Sequence, residues 1–353
     1  SRTGLLFMFC LLMLCGCAQI TGFMENTEVS GREVESLAAE KEDDTVLLGG
    51  MPVGIYMETD GVLVLDTEKM TGMDGKEYTP AQDVVSSGDY ITEVNHQKIE
   101  GKKQLMDLVE HLDGEKVLLT VRRENTILEK KLTPVQISKG NYRLGIWVRD
   151  NVQGLGTITF LTKNNRFAAL GHGIHDIDTS TLLTIKRGTL YRTSIQKVQK
   201  GSKGNPGTME GIIVYNRFHQ LGVIEKNTDA GIYGELNADR SWIGEEVPIQ
   251  VAKKEEIKTG EARIRCYIDG EVKEYTICIT QIDKESDQVN KGMVIQVTDT
   301  ELLEKTGGII QGMSGSPIIQ NGKLIGAVTH VFVQDSTKGY GIFIENMLKE
   351  EES

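Results

Sequence analysis

The stretch "QGMSGSPIIQNGKLIGAVTHVF", residues 311–332, sets Ser314 in a glycine-rich cluster, closes it with Pro317 and runs on into an apolar strand pattern. Gly312 and Gly315 permit backbone conformations that other residues resist, so Ser314 can be displayed on a turn with the N–H groups of Gly312 and Ser314 converging on one point. Pro317 pushes Ser316 into an extended conformation and launches the next strand. A hydroxyl alone is barely acidic, so nucleophilic use of Ser314 requires a base within hydrogen-bond reach and donors aimed at the developing oxyanion. Without these, the same cluster reads only as a tight connection between two strands. The rest of the chain decides between the readings.

A base is available in "RFAALGHGIHDIDTS", residues 166–180, where His172 ends an apolar strand between Gly171 and Gly173. The pair is similar to the trypsin-like serine peptidases, in which the histidine precedes a G-x-S-G-x-P serine. Met313 stands where an aspartate is common there, and Ser316 where a glycine is common. His172, His175, Asp176 and Asp178 are also donors that suit zinc or manganese. No matching cluster or H-E-x-x-H pattern accompanies them, so neither a metal nor a cofactor is expected. For the acid that orients the imidazole, Asp176 and Asp178 lie too near His172 in sequence to reach back to its ring. Asp229 in "EKNTDAGIYG" and Asp299 in "IQVTDTELL" remain as candidates.

At 353 residues the chain is long enough for two modest domains. Its 39 glycines and 6% aromatic content suit short strands joined by many turns. A formal net charge of −12, with no basic stripe, argues against nucleic acid as a partner. The apolar run from Leu5 to Cys17 behind Arg2 reads as an export signal or membrane anchor over residues 1–20. It is short for a full span, which wants about 20 residues. An uncleaved anchor, a cleaved signal and a lipidated Cys17 all stay open. Residues 21–45 are polar and charge-rich, as in a linker.

Residues 46–134 form a block of their own. Strand patterns surround "KKQLMDLVEHL", whose apolar face is Leu105, Leu108, Val109 and Leu112 at helical spacing. "GDYITEVN", residues 88–95, is similar to the GD-x-I-x-x-V-N signature of PDZ domains, and the resemblance spans the block. Such domains add a peptide as an extra strand on a sheet edge. On that analogy the loop bearing Gly50, Val53, Gly54 and Ile55 receives the peptide; it departs from the usual GLGF form, and a docking or spacing role is the alternative. From 140 to 350 the pattern is almost wholly β, as in a barrel or sandwich. The fold class is therefore mainly β: a PDZ-like α/β domain followed by a trypsin-like, β-barrel-type serine peptidase domain.

Cys266 and Cys278 are the two cysteines beyond the N-terminal segment. Asp269-Gly270 reads as a two-residue hairpin turn, which places Cys266 opposite Lys273 and leaves both thiols unpaired. "GHGIHD", "GIWVRDNVQGLGTITF", "IEKNTDAGIYG" and "GGIIQGMSGSPIIQNGKLIGAVTHVFV" together resemble the stage IV sporulation protein B family, serine peptidases of endospore-forming bacteria. The resemblance implies His172 and Ser314 as catalytic residues, with Asp299 as the acid. It further implies an exported, membrane-associated enzyme in the forespore intermembrane space, which cuts itself and a membrane-bound regulatory protein to trigger pro-sigma-K processing. The competing expectation is a non-catalytic, membrane-tethered peptide-binding adaptor.

Overall fold

The computed structural model describes residues 45–237 and 239–353. The expected N-terminal anchor, and the expected linker up to residue 44, lie outside the described residues. Among the described residues no helix is long and apolar enough to cross a membrane.

Two closed antiparallel barrels emerge from the strand pairings. In the first, Pro52–Thr59 pairs with Ile185–Tyr191, and Ile185–Tyr191 with Gln220–Thr228. Gln220–Thr228 pairs with Gly231–Leu236, which pairs with Arg166–Ala169. That strand pairs with the end of Ile146–Leu161, whose middle returns to Pro52–Thr59 and closes a ring of six. The second ring runs Gly260–Ile268, Glu271–Ile282, Met293–Val297, Asp335–Phe343, Lys323–Phe332 and Pro317–Gln320, and closes on Gly260–Ile268. Closure removes the exposed edges that an open sheet must otherwise protect.

Alternating inward side chains fill each ring. Val53, Ile55, Ile158, Phe167, Leu190 and Ile232 pack in the first, and Ile264, Ile277, Ile295, Ile318 and Val328 in the second. A third cluster, with Phe160 and Tyr233 from one barrel and Leu324 and Ile342 from the other, joins them under the helix Ile344–Glu352. The hairpin at Asp269-Gly270 has the expected register, with Cys266 opposite Lys273, and both cysteines are free.

The PDZ-like block is an insertion within the first barrel. Pro52–Thr67 is one continuous strand: its first half belongs to the barrel, and in its second half Val62 and Val64 turn to a separate core with Ile91, Leu119 and Leu105 while Leu63 and Leu65 stay with the barrel's cluster. Ile146–Leu161 makes the return journey, from the block at Ile146–Arg149 into the barrel at Asn151–Leu161. The division therefore departs from the expected boundaries of 46–134 and 140–350. Residues 45–60 belong with the peptidase barrel, and the block reaches to about residue 149. A strand that serves two cores in succession keeps the same alternation, so no break in pattern marks the crossing. The helix Lys102–Glu110 buries Leu105 against the block's core, with Leu108, Val109 and Leu112 partly buried beside it.

Candidate active site

The Ser314 loop follows a short helix, Thr300–Thr306, which ends at the left-handed Gly307. Gly312 and Gly315 have φ of +104° and +93°, where a side chain would be strained. A Cβ at Gly315 would lie 2.1 Å from the Thr157 carbonyl oxygen, so the loop presses directly on the strand Ile146–Leu161. That strand pins the loop. Thr157 N–H donates to the Ser314 carbonyl (2.9 Å) and Thr157 Oγ1 to the Gly312 carbonyl (2.8 Å), while Thr159 Oγ1 donates to the Gly315 carbonyl (2.8 Å). Met313 is fully buried and its sulfur accepts from Ile310 N–H, so the position where trypsin-like enzymes commonly carry an aspartate is apolar here. Among the described residues, no backbone carbonyl accepts from Gly312 N–H or Ser314 N–H.

His172 stands at the end of the barrel strand Arg166–Ala169, and both it and Ser314 line one cleft of about 360 Å³ between the barrels. Its other walls include Ile55, Leu155, Ile309, Ile310 and Val331, with no carboxylate or ammonium group. His172 Nδ1 lies 2.9 Å from the Gly173 carbonyl, which can only accept, so Nδ1 carries the proton and Nε2 is left as the acceptor. Burial lowers the His172 pKa from the ordinary imidazole value; the Gly173 bond opposes this, and His175 adds to the lowering. Ser314 Oγ donates to the Thr329 carbonyl (2.9 Å).

Sequence reasoning missed His330. Its ring packs on His172 with centroids 4.5 Å apart, and its Nδ1 is buried without a partner. Burial, then His172 and Lys291, push its pKa down to about 4. The signal was the spacing, for His330 directly follows Thr329 on the strand that turns back beside Ser314.

The acids are placed differently from expectation. Asp299 does not meet His172: its Oδ1 accepts from Leu302 N–H (3.1 Å) and its Oδ2 from Thr276 N–H (3.2 Å), capping the helix Thr300–Thr306. Asp229 lies 3.5 Å from His175 Nε2, not His172. Asp176 and Asp178 are both held by Arg149, which leaves the four-residue metal alternative without a shared centre.

Gly50, Val53, Gly54 and Ile55 also fall elsewhere than a PDZ-like groove. Val53 and Ile55 are barrel core, Gly50 N–H is bonded to Ile158 O, Gly54 pairs with Leu155, and Ile55 lines the cleft with His172 and Ser314. The strand beside the block's helix is instead Ile146–Val148, entered through Gly145 at φ +73°. A groove of about 630 Å³ lies there, between Leu105, Met106 and Val109 of the helix and Leu144–Val148. Trp147 and Met106 are 58% and 53% exposed at its rim. "YRLGI", residues 142–146, was the available signal, but it lies past the block's last hairpin.

Two six-stranded barrels with a glycine-flanked serine and a histidine in the cleft between them define a trypsin-like serine endopeptidase. The chain belongs to the SpoIVB peptidase S55 family, whose model matches residues 140–348. Among solved structures it is similar to the HtrA-type protease AlgW with a decapeptide (12% identity, 58% of this chain and 53% of that one, TM-score 0.33). It is also similar to the Rv3671c protease of M. tuberculosis in its active form (15% identity, 56% and 72%, TM-score 0.30). The PDZ domain of an SdrC-like protein from Listeria monocytogenes matches at 25% identity over 25% of this chain and 87% of its own, with a TM-score of 0.20. A Helicobacter pylori (strain J99) protein named "Putative zinc metalloprotease" is 34% identical over 83 residues. The chain spans about a quarter of that relative's length, with the match covering 23% of it.

Proposed function

We propose that Ser314 is the nucleophile and His172 the general base of a sporulation endopeptidase. Its substrates are its own N-terminal region, within residues 21–45, and a membrane-bound regulatory protein whose cleavage triggers pro-sigma-K processing. The observation that carries this reading is the shared cleft of His172 and Ser314 in a member of the S55 family. His172 Nε2 takes the Oγ proton as Ser314 attacks the peptide carbonyl, and returns it to the leaving amine. Gly312 and Ser314 N–H groups receive the oxyanion. The Gly173 carbonyl holds the imidazole by Nδ1–H, in the place where an aspartate serves in other triads. Asp299 acts from a distance, by fixing the helix that leads into the nucleophile loop.

The enzyme works as an exported, membrane-associated protein in the forespore intermembrane space, held to the membrane through its N-terminal segment. The PDZ-like groove at Leu144–Val148 engages an extended segment of the substrate by strand addition. Ser314→Ala tests the assignment. It is expected to abolish autoprocessing, by roughly 10³-fold or more in rate, and to end labelling by a fluorophosphonate probe while the fold is retained. A Ser314→Ala protein that processes itself at the normal rate leaves the tethered adaptor as the alternative.

A further inference from the structure

Arg149 and Asp150 are neighbours on the strand Ile146–Leu161 and point their interactions in two directions. Asp150 Oδ2 accepts from Lys102 N–H (2.8 Å), at the first turn of the helix that walls the PDZ-like groove. Arg149 reaches the loop that follows His172, donating to Asp176 with one arm and to Asp178 with the other (2.9 Å). The Asp176 side chain has no exposure. Its other oxygen accepts from Asp178 N–H (3.0 Å) and Thr179 N–H (2.9 Å), and its own N–H and carbonyl bond to Thr181 and Ser180. Asp176 is thus the hub of the loop, and Arg149 supplies its countercharge.

We infer that Arg149 is a positioning residue for the catalytic histidine, and that through it the inserted block sets the geometry of the peptidase site. The chain of contacts is short. The Gly173 carbonyl that aims His172 begins the loop that Asp176 organises, and Gly173 is packed too closely for any side chain: a Cβ there would lie 2.4 Å from Leu182 and 2.5 Å from the Thr228 carbonyl. Asn227 clamps the loop's two ends through Ile174 and Leu183. The block touches the end of this loop once more, with Tyr90 Oη accepting from Thr184 N–H (3.1 Å), and the strand that follows it once, with Glu100 pairing with Lys186 (3.0 Å). Removing Arg149 leaves a buried carboxylate without a countercharge, which the loop relieves by reorganising. A segment docked along Ile146–Val148 adds a strand beside the one that bears Arg149, which gives the groove a route to the histidine.

The inference rests on His172 being the base, and the test separates the two. Arg149→Gln, Arg149→Lys and Asp178→Asn are compared with the unaltered protein for kcat and KM on a fluorogenic peptide, for the pH profile of kcat/KM, and for fluorophosphonate labelling. Arg149→Gln is expected to lose about 10- to 100-fold in kcat with KM within twofold, and to move the acidic limb of the profile. Arg149→Lys, a single point charge in place of a fork, is expected to recover part of the loss. Asp178→Asn, which spares the buried pair, is expected to stay within threefold. Should Arg149→Gln fail to fold, the Lys variant carries the test, with a lowered kcat and a displaced limb expected. Normal kcat and an unmoved limb in a folded Gln or Lys variant overturn the inference alone. An unaltered protein that neither labels at Ser314 nor hydrolyses peptide overturns the nucleophile assignment beneath it.

Discussion

Thr157→Val isolates what the barrel strand does for the Ser314 loop and the oxyanion donors proposed in it. Thr157 is 2% exposed, and its hydroxyl donates to the Gly312 carbonyl at 2.8 Å. Valine has nearly the same shape, so the loss is the bond together with a carbonyl left without a donor, worth about 1–3 kcal/mol. The added methyl returns at most about 0.8 kcal/mol. A net cost of up to about 2 kcal/mol lowers the melting temperature by roughly 1–3 °C in a protein of this size. The catalytic effect is larger in proportion. With the Gly312–Met313 peptide free to turn, the neighbouring Gly312 N–H loses its aim. Outright removal of an oxyanion donor costs about 10²–10³ in kcat, so a loosened donor is expected to cost about 10- to 100-fold. Thr157→Ser, which keeps the hydroxyl, should retain most activity. The assay is hydrolysis of a fluorogenic peptide normalised to fluorophosphonate-titrated sites, beside thermal unfolding. A Val variant with the melting temperature lowered and kcat untouched would refute the claim that this bond aims the donor.

Acid should act on this site twice. His172 and His330 titrate in the native state below the ordinary value of about 6.5. The unfolded chain therefore binds more protons as the pH falls through that value, and stability present above it is lost toward about pH 4. His330→Gln should flatten this loss in pH-dependent thermal unfolding, and an unchanged slope would count against it. Peptidase activity should persist below the pH at which a free imidazole protonates, with the midpoint of kcat/KM under about 6.5. Asp299→Ala removes a helix cap and the Thr276 bond, and should lower both melting temperature and labelling of Ser314. Asp299→Asn keeps a side-chain acceptor and should retain more of each; an Asn variant with normal stability and no activity would instead put the carboxylate on His172.

The meeting of His172 and Ser314 in one cleft was legible because each residue carries its own local signal, glycines around Ser314 and an apolar strand ending at His172. The hairpin of Cys266 and Cys278 was legible for a similar reason, since Asp269-Gly270 fixes the turn and the turn fixes the register. Asp299 was harder. The cap and the Gly307 stop of its seven-residue helix were present in "TDTELLEKTGG", but strands on both sides drew the reading toward β. The peptide groove was misplaced because the strand that walls it, Ile146–Val148, follows the block's other elements instead of preceding them. Nothing local distinguishes Gly50–Ile55 from such a loop; only pairing with Leu155 and Tyr191, about 100 and 140 residues away, does so.

The interruption of the first barrel bears on how the chain reaches its native state. Pro52–Glu58 waits for partners at Asn151–Thr157, and a link across that separation is slow to form from an open coil. The insertion shortens the search. Once Leu63–Thr67 has met Ile146–Arg149 within the block, the two strands are already side by side, and the pairing can zip onward from one core into the next with little further loop entropy to lose. On this account the block acts as a nucleus for the enzyme that surrounds it. Damage to its core at Ile91 or Leu119, far from Ser314, would then appear first as delayed acquisition of activity on refolding, before any deficit in the finished enzyme.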